Sequence, residues 1–245
     1  MIRRGEWRWQ IPALALVALV AAAQPASGEA RGVAAPGTTP ASAAEPPATD
    51  YTIFVELDPE SMQLRGTETL RYTNRSPDTI PDLQFHLYLN AFRNDESTFM
   101  RESEGHLRRD AMPSGGWGWI DVHRLTIDGA DRTRELTYIQ PDGTDPEDRT
   151  VARVPLPSPL GPGQTVEVGF EFEAQLPKVF ARTGYRGDYL LAGQWFPKLG
   201  VWESVGRRHA TAPGWNCHQF HATSEFYADF GRYQVHITLP SHFVI

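Results

Sequence analysis

From residue 51 onward the chain keeps returning to one pattern, apolar and polar positions in strict alternation. Ile53, Val55 and Leu57 share one parity in YTIFVELDPE, and Leu83, Phe85, Leu87 and Leu89 share one in LQFHLYLN. In TVEVGFEFE, Val166, Val168, Phe170 and Phe172 fall on one side and Glu167, Glu171 and Glu173 on the other. GRYQVHITLP repeats the pattern with Tyr233, Val235, Ile237 and Leu239. Successive side chains of a strand point to opposite faces, so this period predicts strands with one buried and one wet face. Clusters rich in Pro, Gly, Asp and Asn lie between them: NRSPD, IDGAD, QPDGTDPED and SPLGPGQ, the chemistry of turns. LTIDGADRTRELTYI predicts a hairpin that turns at Asp128-Gly129. Helical period is nearly absent, and only NDESTFMRESEGHLRRD has room for a turn or two of helix. The expected fold is all-β, an antiparallel β-sandwich or a curved open sheet. After a turn at Pro240-Ser241, Phe243 to Ile245 begin a further apolar run. It reads as an interrupted strand, so the chain is expected to be the truncated front part of a longer protein.

Residues 1–49 follow other rules. Arg3, Arg4 and Arg8 precede the apolar stretch IPALALVALVAAA, and small residues follow it, the order of an export signal. A signal peptide is expected over 1–28, with a periplasmic or secreted destination. The apolar run is shorter than the roughly 20 residues of a spanning helix, and Pro12 sits near its start, so no stable membrane anchor is expected. Residues 29–49 are rich in Pro and Ala and lack aromatic side chains; they predict a disordered linker. Residues 50–245 then form one β domain.

Composition narrows the partners. The formal net charge is -7, and loss of Arg3, Arg4, Arg8 and Glu6 with the leader makes the remainder more acidic still. Such a surface repels phosphate backbones, so nucleic acid is not an expected partner. The single cysteine, Cys217, has no internal disulfide partner. It stands in CHQFH beside His218 and His221, a spacing that lacks the second ligand pair of a structural zinc site; hydrogen-bonded or surface histidines are expected. His86 and His236 fall on the polar parity of their strands. No Gly-x-Ser-x-Gly elbow and no phosphate-binding loop is present. Aromatic residues offer two readings. Trp117, Trp119 and Trp195 could make a self-sufficient sandwich into a binding module for a saccharide or protein partner, or they could fill the edge of the core.

The order of segments adds a resemblance. YTIFVELDPESMQLRGTETLRYTNRSPDTIPDLQFHLYLNAF resembles the opening of the N-terminal domain of aminopeptidase N-type zinc metallopeptidases, the gluzincin family, with Tyr51 to Pro59, Gly66, Asn74 and Leu87 to Asn90 matching in order. GQWFPKLGVWE, GWN and EFYADFGRYQVHITLPSHFVI are similar to the segment just before the catalytic domain in a bacterial branch. The resemblance implies a non-catalytic β domain of an exported peptidase, partnered by its own C-terminal catalytic domain and, through it, by peptide substrates. Zinc would sit in that domain on a His-Glu-x-x-His helix; in this chain no His is followed by Glu, so neither metal ligand nor catalytic residue is expected here. One site residue carries over. A Gln or Glu ahead of the segment ending at Pro197 contacts the substrate amine in the family, and Gln194 in LAGQWFP is the nearest polar position. Its other reading is a loop amide bonded to backbone.

Overall fold

The computed structural model describes residues 2–8, 47–107, 110–143 and 145–244. The apolar run of the expected signal and nearly all of the linker lie outside the described residues. Residues 1–8 and 47–245 belong to one compact unit.

The alternating segments become strands. β1 (Ile2–Arg8), β2 (Thr49–Asp58), β3 (Gln63–Thr73) and β4 (Ile80–His86) are followed by a 3-10 turn, Tyr88–Phe92, and one short helix, α1 (Thr98–Ser103). Next come β5 (His106–Leu107), β6 (Asp110–Ala111), β7 (Trp119–Ile127), β8 (Ala130–Asp131), β9 (Thr137–Tyr138), β10 (Val151–Leu160) and β11 (Thr165–Gln175). The last third holds β12 (Gly184–Arg186), β13 (Tyr189–Leu191), β14 (Lys198–Leu199), β15 (Val201–Glu203), β16 (Gly214–Asn216) and β17 (Gly231–Pro240). A seven-stranded sheet runs β1-β17-β2-β3-β11-β7-β8, and a four-stranded sheet runs β14-β4-β10-β9. The fold is all-β.

The core is where the inner faces of these sheets meet. Ile53, Leu70 and Val168 from the large sheet and Leu83, Phe85 and Val154 from the small one are fully buried. Phe85 sets its ring edge on Phe170, with centroids 5.0 Å apart. Burying a side chain of this size contributes about 1.5–3 kcal/mol. The expected hairpin forms between β7 and β8, with Asp128 and Gly129 both at positive φ, 48° and 80°, as a two-residue primed turn requires.

Four expectations need correction. β17 pairs with β2 in parallel, although the other ladders of the large sheet are antiparallel. A strand that returns after a long excursion is not held to the hairpin direction. The strand carrying Leu83 and Phe85 ends at His86, and Leu87 and Leu89 belong to the turn that follows. His86 is not on a wet face: it is 2% exposed, because its ring lies under Tyr88, which is packed in turn by Phe220 and Phe226. Phe243 and Val244 form no strand, and Val244 stands in solvent; Ile245 lies outside the described residues.

Candidate functional site

The most unusual group in the interior stands on β3. Leu64, Leu70 and Tyr72 bury their side chains, and Glu68 shares their parity, paired across the ladders with Ile53 and Phe170. Only 2% exposed, its carboxyl has neither oxygen hydrogen-bonded among the described residues. A buried, unsatisfied carboxyl costs on the order of 1–3 kcal/mol, and such groups concentrate at functional sites.

Its neighbours come from distant parts of the chain. Tyr51 from β2 and Tyr233 from β17 stack at 4.7 Å, with the Phe196 ring edge-on to both, at 5.9 and 6.1 Å. The Tyr51 hydroxyl accepts the Leu199 amide at 3.2 Å. Lys198 lays its ammonium 5.1 Å over the Phe196 ring and donates to Gln194 Oε1 at 2.8 Å. Burial pushes the Glu68 carboxyl well above the usual carboxylate range, with the Lys198 charge pulling it back in part. Burial also lowers Lys198, against the pull of Glu68. Tyr233 is pushed up to about 12 by burial and by Glu68. Desolvation dominates at each of these groups, so the cluster favours neutral forms. It can hold a proton inside the fold.

The structure thus brings Gln194, partly buried, to Lys198 beside Glu68. Its carbonyl oxygen is held by a lysine side chain, where the sequence suggested a backbone partner, and its own backbone is left-handed, φ 55°. Sequence reading missed Glu68 and Lys198. A signal for Glu68 existed: in LRGTETLRYT it occupies the parity of Leu64, Leu70 and Tyr72.

His86, His218 and His221 fall into two environments. His86 stacks on Tyr88 at 4.4 Å with neither ring nitrogen bonded among the described residues; burial, helped by Lys198 and His218, lowers it to about 3. His218 and His221 engage carboxylates. His218 Nδ1 lies 2.6 Å from Asp142 Oδ1, and His221 lies 3.1 Å from Asp142 Oδ2 through Nε2 and 2.7 Å from Glu102 Oε1 through Nδ1. Cys217 is buried, and that burial pushes its thiol far up, which leaves it an inert core residue.

These donors do not fit a zinc ion. Among the described residues no three His, Cys, Asp or Glu side chains converge on a point a metal could occupy, and the ring nitrogens of His221 diverge toward two different carboxylates. Nor do the three tryptophans form one platform. Trp117 and Trp195 pack on the core edge, Trp195 against Phe172 and Phe196. Trp119 lies under the Arg93 guanidinium. No helix among the described residues is long and apolar enough to cross a membrane.

No family model matches the chain, and no curated protein matches it. Solved structures do. An M1 zinc metallopeptidase from Deinococcus radiodurans aligns at 16% identity over 79% of this chain and 33% of its own, with a TM-score of 0.38. A variant from the same organism, bound to a Tyr-Ser-Ala substrate, aligns at 14% identity over 78% and 32%, with a TM-score of 0.37. The chain spans about a third of the length of these metallopeptidases.

Proposed function

We propose that this chain is the N-terminal, non-catalytic β domain of an exported, zinc-dependent metallopeptidase of aminopeptidase type. Its task is to pack against a catalytic domain and limit access to that domain's cleft to peptide ends. Support comes first from the ordered motifs of residues 51–90 and 194–245. The observation that carries the reading is an apolar face that the described chain covers only in part. Tyr233, Val235, Ile237 and Leu239 of β17 lie on the inner side of the sheet yet are only half-buried, as are Trp195 and Phe196 beside them. Their partners Ile53 and Val55 on β2, one strand further in, are fully covered. An apolar face rimmed by polar residues marks a contact with further polypeptide.

Export fits this arrangement. β1 lies along the outer edge of β17, and cleavage of a leader over 1–28 would open that edge to another strand. Zinc belongs to the catalytic domain in this reading, and no residue of this chain is assigned to it.

The test is the coding sequence that surrounds these residues, together with the zinc content of the native polypeptide. A His-Glu-x-x-His frame, about one bound zinc and release of N-terminal residues from peptides are expected. A native polypeptide without the motif and without peptidase activity would end the proposal. In the active protein Gln194→Ala is expected to raise KM for unblocked peptides several-fold with kcat little changed, the signature of a lost binding contact. An unchanged KM would remove Gln194 from the amine site.

A further inference from the structure

The segment Cys217–Ser224 runs as a strap against α1, the Tyr88–Phe92 turn and the β9–β10 loop. Its anchor is Phe220, 3% exposed, whose ring stacks on Phe99 at 5.0 Å and on Phe226 at 4.8 Å and meets Tyr88 edge-on at 5.3 Å. Two carboxylates on other elements hold the strap from outside. Glu102, at the end of α1, accepts the Ala222 amide at 2.9 Å and faces His221 Nδ1. Asp142, in the loop between β9 and β10, accepts the Gln219 amide at 3.0 Å and faces both His218 Nδ1 and His221 Nε2.

The proton count follows from geometry alone. An ionised carboxylate only accepts hydrogen bonds, and a neutral imidazole carries one N–H and one lone pair. His221 puts both nitrogens against carboxylates, so both bonds exist together only when the ring carries two protons. His218 meets a carboxylate through one nitrogen, which a neutral ring satisfies as well.

We propose that His221 is a proton-operated latch: its doubly protonated ring ties the 217–224 strap to α1 and to the β9–β10 loop at once, and loss of one proton releases one of the two ties. The deprotonated ring must turn a lone pair toward Glu102 or Asp142, which repels it and frees the adjacent backbone amide. The remaining holds, Gln219 Nε2 to Thr98 Oγ1 at 2.7 Å and the Phe220 amide to Thr150 Oγ1 at 3.4 Å, keep the opening local. Other charges at this surface are already paired, Arg101 with Asp145 and Arg182 with Glu225.

Partial burial works against the charge on His221, yet the hydrogen bonds and charges of Glu102 and Asp142 outweigh it and hold the ring above the usual histidine range. Asp142 is itself partly buried, which works the other way, but its bonds from His218, His221 and the Gln219 amide hold it below the usual carboxylate range. The tie at His221 is therefore complete below the ordinary histidine pKa of about 6.5 and is lost as pH rises through the raised value. At the other end it is lost as pH falls through the lowered value of Asp142. The latch stands independently of the peptidase proposal.

The experiment uses the full chain. Long-range proton–nitrogen NMR of the histidines gives the protonation state of His221, and hydrogen exchange of the Gln219 and Ala222 amides, corrected for intrinsic base catalysis, gives the state of the strap. A titration point for His221 above the ordinary histidine value of about 6.5 is expected, with protection of one or both amides falling as pH rises through it, about tenfold per unit by which the ring's pKa is raised. Glu102→Gln should lower the titration point of His221 and move the loss of Ala222 protection with it. His221→Gln should show low protection at every pH; if it fails to fold, the Glu102→Gln shift carries the test. A His221 that titrates at or below the ordinary histidine value of about 6.5, or corrected protection that ignores its titration, overturns the proposal.

Discussion

Glu68 and His86 are each buried without a hydrogen bond among the described residues, and they act on stability from opposite ends of the pH scale. Burial raises Glu68, so the folded state binds more protons than the unfolded chain above the ordinary carboxylate pKa, and stability falls as pH rises. For His86, lowered to about 3, the folded state binds fewer protons below about 6.5, and stability falls as pH drops. Glu68→Gln is expected to stabilise the protein by on the order of 1 kcal/mol or more at pH 8 and little at pH 4. His86→Phe, which keeps the stack on Tyr88, should give about 1–3 kcal/mol near pH 4 and less at pH 8. Urea unfolding at the two pH values checks both, and equal effects at both would show that burial does not set their protonation. Glu68 was legible in the sequence, since its parity on β3 points inward. His86 was not: whether the second face of a strand is wet depends on what covers it, and the cover is Tyr88 held by Phe220 and Phe226, far along the chain.

At the scale of elements, glycine and aromatic positions are coupled across strands. Gly66 on β3 pairs with Phe172 on β11, and a Cβ added at Gly66 would come within 2.5 Å of the Phe172 ring, which is buried and backed by Trp195. Gly66→Ala is therefore expected to cost about 1–3 kcal/mol. In a Phe172→Ala background that cost should shrink to a few tenths, a coupling measurable by a double-mutant cycle; additive effects would contradict the packing. The alternation that announced β2 and β11 survived intact. In β7 it did not, because the register with β11 shifts between Glu171 and Phe172, so that Val122 pairs with Phe172 and Arg124 with Glu171. The bulge leaves His123 over and moves the buried parity from Ile120 to Leu125 and Ile127. A single-residue insertion of this kind leaves no mark in a strand's own sequence, because only the partner strand defines it.

Over the whole molecule the decisive contrast lies between inner and outer strands of one apolar face. Ile53→Ala, on fully covered β2, is expected to cost about 2–5 kcal/mol in urea unfolding. Val235→Ala and Ile237→Ala, on half-covered β17, should each cost under about 1.5 kcal/mol in this chain and clearly more in a larger polypeptide that covers the face. Equal costs at β2 and β17 would mean that the chain covers its own core. Sequence alone determined the all-β class, the turns and the inward parity of most strands, because strand periodicity and turn chemistry act within a few residues. Tertiary structure alone decided that β17 lies parallel to β2, that Glu68, Lys198 and Gln194 share one interior cluster, and that Glu102 and Asp142 grip His221. Apart from Gln194 and Lys198, which are neighbours in the chain, those outcomes join residues tens to nearly two hundred positions apart, and contacts at such separation are fixed by how faces are covered, a property that no local pattern encodes.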